Sequence, residues 1–246
     1  MKAIVFAAGL GTRLYPITES IPKALVEVGG KPMLLRVLEK LRDAGINEIV
    51  INVHHFADMI IDYLRSNDGF GLKIMISDER GHLLDTGGGI LAARNYLDDG
   101  EPFIAHNADI LTDFNLSEMI IRHNESGADV TLLSADRPSS RYLLFDEEQR
   151  MMGWTNTKTG EVKPAGINSD GLRRLAFGGV HVISPTVFGK LEEYRSRGGD
   201  VFSITPFYVE NCEKLDMRGY VPSENYHWFD IGRPETLEKA CQLFRQ

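Results

Sequence analysis

The sequence has little cysteine, no long apolar run and no excess of positive charge, and each deficit excludes a class of protein. Its two cysteines, Cys212 and Cys241, are too few for a disulfide framework. No run of about 20 apolar residues occurs, so we expect no transmembrane helix and no membrane partner. The opening strand candidate lacks the longer apolar stretch and cleavage site of a secretory signal, which favours a cytoplasmic protein.

The net charge of −8 excludes another group of partners. A chain with this charge repels a polyanion at long range, so no nucleic-acid partner is expected. A ligand that carries phosphate must therefore be held locally, by backbone N–H groups, a few basic side chains and a metal ion. The 24 glycines and 10 prolines are spread through loops rather than gathered in one tract, which argues against disorder.

The first half of the chain alternates apolar runs with amphipathic segments. Strands are predicted at residues 3–6, 48–53, 72–76, 102–106 and 130–133. Helices are predicted from Pro32 to the glycine at 45, and at residues 57–64, 89–97 and 116–123. Strands separated by helices pair in parallel through right-handed crossovers. The pattern predicts a doubly wound, mixed but mostly parallel α/β sheet.

The second half has a more antiparallel character. Strands are predicted at residues 142–145, 151–154, 175–183 and 215–221. Short helices are predicted at residues 185–194, 204–212 and 234–244. No linker or internal repeat separates the halves, so we expect one domain over residues 1–246 with a small C-terminal lobe.

A glycine-rich loop, Ala7-Ala-Gly-Leu-Gly-Thr-Arg-Leu-Tyr-Pro16, follows the first strand. Ligands of doubly wound sheets sit at such strand ends. The dinucleotide fingerprint would need a third glycine at Leu14 and a helix there, which the following prolines disfavour. The P-loop pattern needs Gly-Lys-Ser/Thr five residues after a first glycine, and neither Gly9 nor Gly11 provides it. Both known phosphate loops are therefore excluded.

The same loop still has the features of an anion site. Successive N–H groups in a tight glycine turn can surround an anion. Arg13 supplies a forked, permanently charged donor, and Lys23, preceded by the rigid Pro22, supplies a point charge. A plain surface loop with solvated basic residues is the alternative for Gly-x-Gly alone. The two basic residues in register favour the phosphate site.

The loop, followed by Pro-Lys-Ala-Leu-Val and Gly-Lys-Pro-Met, closely resembles the opening of the sugar-1-phosphate nucleotidyltransferases. This resemblance implies the Rossmann-like fold of nucleotide-diphospho-sugar transferases. In that family the loop cradles the triphosphate, the arginine stabilises charge as pyrophosphate leaves, and the lysine contacts phosphate. The nucleotide-binding residues so implied are Ala7, Ala8, Gly9, Gly11, Thr12, Arg13 and Lys23.

Two aspartates are candidate ligands of Mg²⁺, the usual companion of a triphosphate, which takes oxygen ligands and only one or two protein carboxylates. Asp109 ends a predicted strand, in a segment that resembles the family's Asn-Gly-Asp with Ala108 in the glycine position. The resemblance also implies Asn107 as a nucleotide-binding residue. Asp230 lies in an element that resembles the family's Trp-x-Asp-Ile-Gly-Thr-Pro-Glu, with Arg233 in place of threonine. In the family this aspartate completes the metal site.

A second glycine cluster, Leu83-Leu-Asp-Thr-Gly-Gly-Gly-Ile90, lies between a strand and a helix. One interpretation is a helix N-terminus capped by Asp85 or Thr86. The resemblance instead implies that Gly87 and Gly88 lie beside the nucleobase. The triple glycine looks most like the N-acetylmuramate 1-phosphate uridylyltransferase branch, which lacks the long C-terminal β-helix of larger family members.

The resemblance to the family is weaker in the segments that would bind the sugar. The segment Ala176-Phe-Gly-Gly-Val-His-Val-Ile-Ser-Pro185 resembles the strand that borders the sugar pocket, which implies a sugar-binding role for Gly179. His181 is either a ligand contact or, as is commoner, a core histidine. Glu161 and Lys163 are similar to the sugar-binding pair of some relatives.

The implied reaction couples a nucleoside triphosphate, with UTP favoured, to a sugar 1-phosphate such as N-acetylmuramate 1-phosphate, and releases pyrophosphate. No Ser/His/Asp or Cys/His nucleophile pattern occurs, which agrees with a direct displacement that uses Arg13, Lys23 and Asp109. Residues 1–135 would bind the nucleotide, and residues 136–246 would bind the sugar and complete the metal site. We expect a monomer or small homo-oligomer that serves nucleotide-sugar and cell-wall biosynthesis.

Three alternatives stay open at this point. The first is a mannose- or heptose-1-phosphate guanylyltransferase. The second is a phosphocholine cytidylyltransferase, which would need an aromatic and acidic cage for a quaternary amine. The third is a non-catalytic subunit that senses sugar nucleotides.

Overall fold

The structure, a computed structural model, describes residues 1–244, which form a central β-sheet with helices on both faces. The strands are β1 (Lys2–Phe6), β2 (Glu27–Val28), β3 (Lys31–Pro32), β4 (Glu48–Val53), β5 (Lys73–Asp78), β6 (Phe103–Asn107), β7 (Ile110–Thr112), β8 (Val130–Ala135), β9 (Arg141–Phe145), β10 (Met151–Asn156), β11 (Glu161–Lys163), β12 (Arg173–Ile183), β13 (Met217–Tyr220) and β14 (Trp228–Asp230). The α-helices are α1 (Met33–Asp43), α2 (Ala57–Ser66), α3 (Asp85–Ala92), α4 (Arg94–Leu97), α5 (Leu116–Ser126), α6 (Val187–Gly198), α7 (Ile204–Asn211) and α8 (Pro234–Leu243).

The first helix illustrates how the residue pattern determines an element. Pro32 precedes its first turn, where the fixed φ of proline suits a helix start. Gly45 follows the last turn with φ +82°, a left-handed conformation that ends helices and favours glycine. The apolar residues of α1 recur at helical spacing and are buried, namely Met33, Leu34, Val37, Leu38 and Leu41.

The main sheet runs in the order β11-β10-β9-β12-β6-β1-β4-β5. Strands β6, β1, β4 and β5 are parallel to one another, as the alternation of strands and helices predicts. Strand β12 is antiparallel to β6, β8 and β9, and β10 and β11 continue antiparallel at that edge. Strand β13 pairs in parallel with β8. The predicted α/β fold with a mixed sheet is therefore confirmed.

Two apolar cores cover the two faces of the sheet. One core packs the sheet against α1, α2 and α5, and the other packs it against α3, α4, α6 and α7. Burial on both faces explains why the parallel strands are nearly continuous apolar runs rather than alternating ones. Both cores leave the carboxyl ends of the strands open, which is where ligands of such sheets bind.

Three strand ends lie level with one another at this edge. Phe6, at the end of β1, pairs with Asn52 of β4 on one side and with Asn107 of β6 on the other. The loop after β1 and the segment after β6 therefore leave the sheet side by side.

The short ribbon β7–β14 was not predicted. Asp230 of β14 pairs with Ile110 of β7, and the Ile231 N–H donates to the Asp109 carbonyl at 2.9 Å. Strands of three residues are too short for a periodic signal. This ribbon brings the C-terminal part of the chain onto the edge where β6 ends.

Two sequence predictions about helices, the bounds of one helix and the lack of a membrane-spanning one, can be compared with the structure. The helix predicted at residues 89–97 is wrong in its bounds, because α3 begins at Asp85 and the chain continues as the separate α4. Within residues 1–244, every helix is too short or too polar to serve as a membrane-spanning segment.

Candidate active site

The glycine-rich loop leaves β1 and turns back over the sheet edge. The Ala7 N–H still donates to the Asn52 carbonyl at 3.0 Å, so the loop starts from a fixed point. Gly11 has φ +71°, which favours glycine, and its carbonyl accepts from the Leu14 N–H at 2.9 Å and the Thr18 hydroxyl at 2.8 Å. These bonds hold a short 3₁₀ turn, Thr12–Leu14, in place. The exposed side of the loop is therefore preorganised.

Lys23 lies under this loop. A Cβ added at Gly11 would lie 3.1 Å from the Lys23 Cβ, so the glycine allows the lysine stem to pass close beneath. The Lys23 ammonium forms an ion pair with the Asp109 carboxylate, and the Lys23 side chain is only 11% exposed. Limited exposure makes this pair stronger than a surface pair. The structure thus joins the first loop to the end of β6.

Asp230 reaches the same place through the β7–β14 ribbon. Its carboxylate is partly buried, and its Oδ1 atom is buried without a hydrogen-bond partner among residues 1–244. Burial raises the pKa of Asp230, and the nearby charge of Asp109 raises it further. Lys23, Arg13 and Arg137 act in the opposite direction on this pKa. Two carboxylates and three basic groups therefore lie within electrostatic reach of one another.

Arg13 faces Asp230 across Gly232. A Cβ built on Gly232 would lie 2.7 Å from the Arg13 Nη2 atom and 2.8 Å from the Asp230 Oδ1 atom. The Arg13 guanidinium and the Asp230 carboxylate therefore both lie next to the position that a side chain at residue 232 would occupy. The four side chains for which the sequence predicts catalytic or metal-binding roles meet at one site: Arg13, Lys23, Asp109 and Asp230.

The donor set at this point fits Mg²⁺. Within residues 1–244, no group of three or more His, Cys, Asp or Glu side chains could hold a metal ion. Mg²⁺ is commonly bound by one or two protein carboxylates, with substrate phosphates and water as the other ligands. The unpaired, buried Oδ1 atom of Asp230 and the adjacent carboxylate of Asp109 supply such a pair.

A cavity of about 360 Å³ opens beside Asp109 and is called here the smaller cavity. It contains many of the predicted nucleotide-binding residues. Those that line it are Ala7, Ala8, Gly9, Lys23 and Asn107, and the predicted metal ligand Asp109 lines it as well. Thr12 and Arg13 are exposed on the loop above, and Gly11 lies partly buried between them and Lys23.

Gly87 and Gly88 have a packing role in the structure. Both are buried in the first turns of α3, and their N–H groups donate to the Phe202 carbonyl at 2.9 and 3.2 Å. A Cβ at Gly87 would collide with the Phe202 ring, and one at Gly88 with the Asp200 carbonyl. These glycines therefore allow α3 to pack closely against residues 200–202, and their place beside the nucleobase stays a prediction.

The residues just before Gly87 form one wall of the smaller cavity. Leu83, Asp85 and Thr86 line the smaller cavity. Neither Asp85 nor Thr86 caps the helix N-terminus in the usual way, since the residue before α3 is Leu84 and no side chain caps the helix there. The Thr86 hydroxyl accepts from the Ile204 N–H at 3.0 Å and ties this wall to α7.

The floor of the smaller cavity contains two polar residues that sequence reasoning missed. Glu79 accepts from the Asn52 side-chain amide and, at 2.9 Å, from the Leu84 N–H. Burial raises the pKa of Glu79, because only 4% of the residue is exposed. Both residues gave a sequence signal: Asn52 is a polar residue in an apolar strand, and Glu79 directly follows β5.

A second space of about 1100 Å³, called here the larger cavity, is lined by Asp230, whereas Asp109 lines the smaller cavity. Asp230 and Trp228 of β14 line it, opposite Glu161 and Lys163 of β11. The Lys163 ammonium lies 3.0 Å from the Glu161 Oε1 atom. Glu161 and Lys163, which the sequence aligned only weakly with a sugar-binding pair, therefore do face a cavity that adjoins the carboxylates.

Gly179, for which the resemblance implies a sugar-binding role, is not among the residues that line the larger cavity. It is buried where the pairing of β12 with β8 shifts register, and its φ of +74° favours glycine. A Cβ there would lie 2.8 Å from Ile110 and 3.1 Å from the Asn107 side-chain amide. Gly179 thus makes room for Asn107, and its sugar-binding role stays a prediction.

The sequence leaves the roles of three residues undecided, and the structure shows the contacts of each. His181 is buried, and its Nδ1 atom lies 2.6 Å from the Tyr208 hydroxyl, as in a core histidine. The Ala108 methyl is buried in the core without a left-handed φ, so the position does not require glycine. Arg233 is exposed before α8, and the hydroxyl of Thr236 donates to its carbonyl at 2.9 Å. Nothing in the structure explains why arginine stands at position 233.

Solved structures share this fold. A putative glucose-1-phosphate thymidylyltransferase from Bacillus anthracis superposes with a TM-score of 0.82 at 19% identity, covering 100% of this chain and 96% of that one, and shows the fold alone. HddC from Yersinia pseudotuberculosis, complexed with GMP-PN, gives a TM-score of 0.74 at 25% identity, covering 99% of each chain. The chain therefore has the fold of these proteins.

The sequence comparisons agree. Residues 2–246 match the family described as Nucleotidyl transferase. An N-acetylmuramate alpha-1-phosphate uridylyltransferase of Caulobacter vibrioides is 34% identical over 249 residues, covering 95% of this chain and 93% of that protein. A probable mannose-1-phosphate guanylyltransferase of Arabidopsis thaliana is 30% identical over 258 residues, but 99% of this chain spans only 65% of that protein. The chain belongs to the nucleotidyl transferase family, and the predicted resemblance is confirmed.

Proposed function

We propose that this enzyme joins UTP to N-acetylmuramate 1-phosphate, or a closely similar sugar 1-phosphate, and releases pyrophosphate. The observation that carries this proposal is the meeting of Arg13, Lys23, Asp109 and Asp230 between two cavities. One space would take the nucleotide and the other the sugar, so that the two phosphates meet at the charged groups between them.

The displacement needs no protein nucleophile. An oxygen of the sugar phosphate is ionised at neutral pH and attacks the α-phosphorus, while the bond between α- and β-phosphates breaks and pyrophosphate leaves with the electron pair. Alignment of the two anions contributes up to roughly 7–11 kcal/mol. Arg13 and Lys23 would offset the charge that develops on the α-phosphate and on pyrophosphate.

Asp109 and Asp230 would hold the Mg²⁺ ion. When bound, Mg²⁺ supplies Lewis-acid stabilisation of the phosphoryl oxygens. The buried, unpaired Oδ1 atom of Asp230 supports this assignment, since a buried carboxylate oxygen without a donor is costly unless a ligand satisfies it. Residues 1–135 would then carry the nucleotide, and residues 136–246 the sugar and the second carboxylate.

The choice of substrates rests on similarity in sequence and length. The Caulobacter relative named as an N-acetylmuramate alpha-1-phosphate uridylyltransferase matches this chain over 93% of its own length. The Arabidopsis protein named for mannose-1-phosphate is matched over only 65% of its length. A guanylyltransferase remains the second candidate, because the structural relative HddC is described with bound GMP-PN.

The cytidylyltransferase alternative for phosphocholine is disfavoured by the larger cavity. Its two tryptophans already face cations of the protein: the Arg137 guanidinium lies 3.7 Å from the Trp228 ring centroid, and the Lys163 ammonium 5.7 Å from that of Trp154. A quaternary amine would have to displace these charges or lie beside them, and cations repel each other.

A substrate screen tests the proposal. The purified chain would receive each of the four ribonucleoside triphosphates with N-acetylmuramate, mannose, glucose or N-acetylglucosamine 1-phosphate, or phosphocholine, and pyrophosphate would be measured. We expect the highest kcat/KM for UTP with N-acetylmuramate 1-phosphate. A preference for GTP with mannose 1-phosphate would reject the proposed substrates, and no pyrophosphate from any pair would reject the activity.

A further inference from the structure

A basic side chain that the reaction scheme does not yet use lies in the wall of the larger cavity. Arg137 follows β8, and its guanidinium stacks over the Trp228 ring at 3.7 Å from the ring centroid. Its Nη2 atom donates to the Phe177 carbonyl at 2.8 Å. Stacking fixes the plane of the guanidinium and the hydrogen bond fixes its rotation, so the group is held before any ligand binds.

This guanidinium has no carboxylate partner. Among residues 1–244, no Asp or Glu oxygen lies within 4.0 Å of it, and its buried Nε atom has no hydrogen-bond partner. Burial lowers the pKa of Arg137, which is the expected effect of removing a cation from water. A half-buried cation without a direct ion pair is costly, and an anionic ligand in contact with it would lower that cost.

The position of Arg137 relative to Asp230 indicates which anion fits. Trp228 and Asp230 are alternate residues of β14, so their side chains point to the same side of the strand, about 7 Å apart along it. Arg137 stacks on the first of these residues, and Asp230 is the second. A phosphate bound between them would have the guanidinium on one side and, on the other, Asp230, which would hold the metal ion that attracts the phosphate.

We propose that Arg137 binds the phosphate of the sugar 1-phosphate and so positions the attacking oxygen. This inference rests on the proposed function, in which the triphosphate lies on the opposite side of the carboxylates, over Ala7 to Gly9 and Lys23. The forked donors of arginine match a phosphate with two parallel hydrogen bonds, which a lysine cannot reproduce. A carboxylate on the sugar is the other oxyanion that could reach Arg137, and the test separates the two.

Calorimetric titration tests the inference without requiring turnover. UTP, N-acetylmuramate 1-phosphate and N-acetylglucosamine 1-phosphate would be titrated separately into wild-type protein and the Arg137→Gln variant. Both sugar ligands carry a 1-phosphate group. N-acetylmuramate 1-phosphate also carries a carboxylate, which N-acetylglucosamine 1-phosphate lacks. We expect Arg137→Gln to weaken both sugar phosphates alike, by about ten- to a hundred-fold, because charge-assisted hydrogen bonds are lost. The affinity for UTP should change less than about two-fold.

Two further variants serve as controls. Arg122→Gln removes an exposed arginine of α5 that pairs with its neighbour Glu125, and should leave all three affinities unchanged. Arg137→Lys keeps the charge without the fork and should give an intermediate loss for both sugar phosphates. Thermal unfolding of each variant would verify that it is folded at the titration temperature.

The outcomes are distinct. Wild-type affinity of Arg137→Gln for both sugar phosphates would overturn the inference, and a loss confined to N-acetylmuramate 1-phosphate would reassign Arg137 to the sugar carboxylate. Failure of the proposed function would appear in the wild type itself, as no binding of either sugar phosphate and no pyrophosphate release. Failure of the inference alone would appear only in the variants.

Discussion

Gly232 offers the sharpest test of the geometry, because a single methyl group there would separate two functional side chains. A Cβ at this position would lie 2.7 Å from the Arg13 Nη2 atom and 2.8 Å from the Asp230 Oδ1 atom. Ordinary contacts of a Cβ begin at 3.4 Å, so both groups must retreat by roughly 0.6–0.7 Å. The backbone of Gly232 is not in the left-handed region, so alanine causes no backbone strain.

The expected result of Gly232→Ala is loss of turnover with retention of the fold. The two atoms displaced are the ends of side chains, which can move without disturbing the sheet. A shift approaching 1 Å in a group that must be aligned with the reacting phosphates lowers turnover by about 10²-fold. The assay is kcat for pyrophosphate release, with urea unfolding to measure stability.

A matched alanine variant controls for the loss of glycine. Gly189 lies on the exposed side of α6, and a Cβ there would meet nothing within 4 Å. Gly189→Ala should keep wild-type turnover and gain about 0.5–1 kcal/mol of unfolding free energy, since alanine favours the helix. Wild-type kcat in Gly232→Ala would refute the reasoning that Arg13 and Asp230 act together at this point.

Three further predictions concern single side chains. Asp109→Asn removes the charge that pairs with Lys23 and would hold the metal, so pyrophosphate release should become undetectable while the circular dichroism spectrum is unchanged. Undiminished magnesium-dependent activity would overturn that role. Arg13→Ala should lower kcat by about 10²- to 10³-fold, because one donor to the developing charge is lost; a rise in KM alone would make Arg13 a ground-state binder. Burial lowers the pKa of His181 from 6.5 to about 3, so the unfolded chain takes up a proton as the pH falls below 6.5 and the folded chain does not. Between pH 7 and pH 5 the free energy of unfolding should therefore fall by about 2 kcal/mol more in the wild type than in His181→Gln, measured with urea, and equal losses would contradict this account.

The parallel half of the fold could be predicted because local patterns determine it. The apolar runs of β1, β4 and β6 are long enough to be recognised, and helices between them permit only parallel pairing. The ends of parallel strands share one edge, so the loop after β1 and Asp109 after β6 could be expected together. The resemblance to a known family then added roles for Arg13 and Lys23.

The meeting of Asp230 with Asp109 follows from no local pattern. It depends on the pairing of two three-residue strands far apart in the chain, and such pairs have no periodic signal. Arg137 gave no signal either, because stacking on Trp228 is a contact between distant residues. Long-range pairing and packing must be seen in three dimensions before such residues can be assigned.

Glycines mark the limit of sequence reasoning in another way. A glycine is needed wherever the backbone is left-handed or something approaches closely, and the sequence does not say which reason applies. At Gly87 and Gly88 the close neighbour is the segment 200–202. At Gly179 both reasons hold, and the neighbour is Asn107.

The central claim is that Asp109 and Asp230 together hold one divalent ion with the nucleotide. Binding of Mn²⁺ in the presence of UTP, followed by electron paramagnetic resonance, measures this directly. The account predicts one tightly bound ion per chain in the wild type and in Asp113→Asn, whose carboxylate instead contacts His227 on the surface. It predicts loss of that ion in both Asp109→Asn and Asp230→Asn. Undiminished Mn²⁺ binding in either of the last two variants would contradict it.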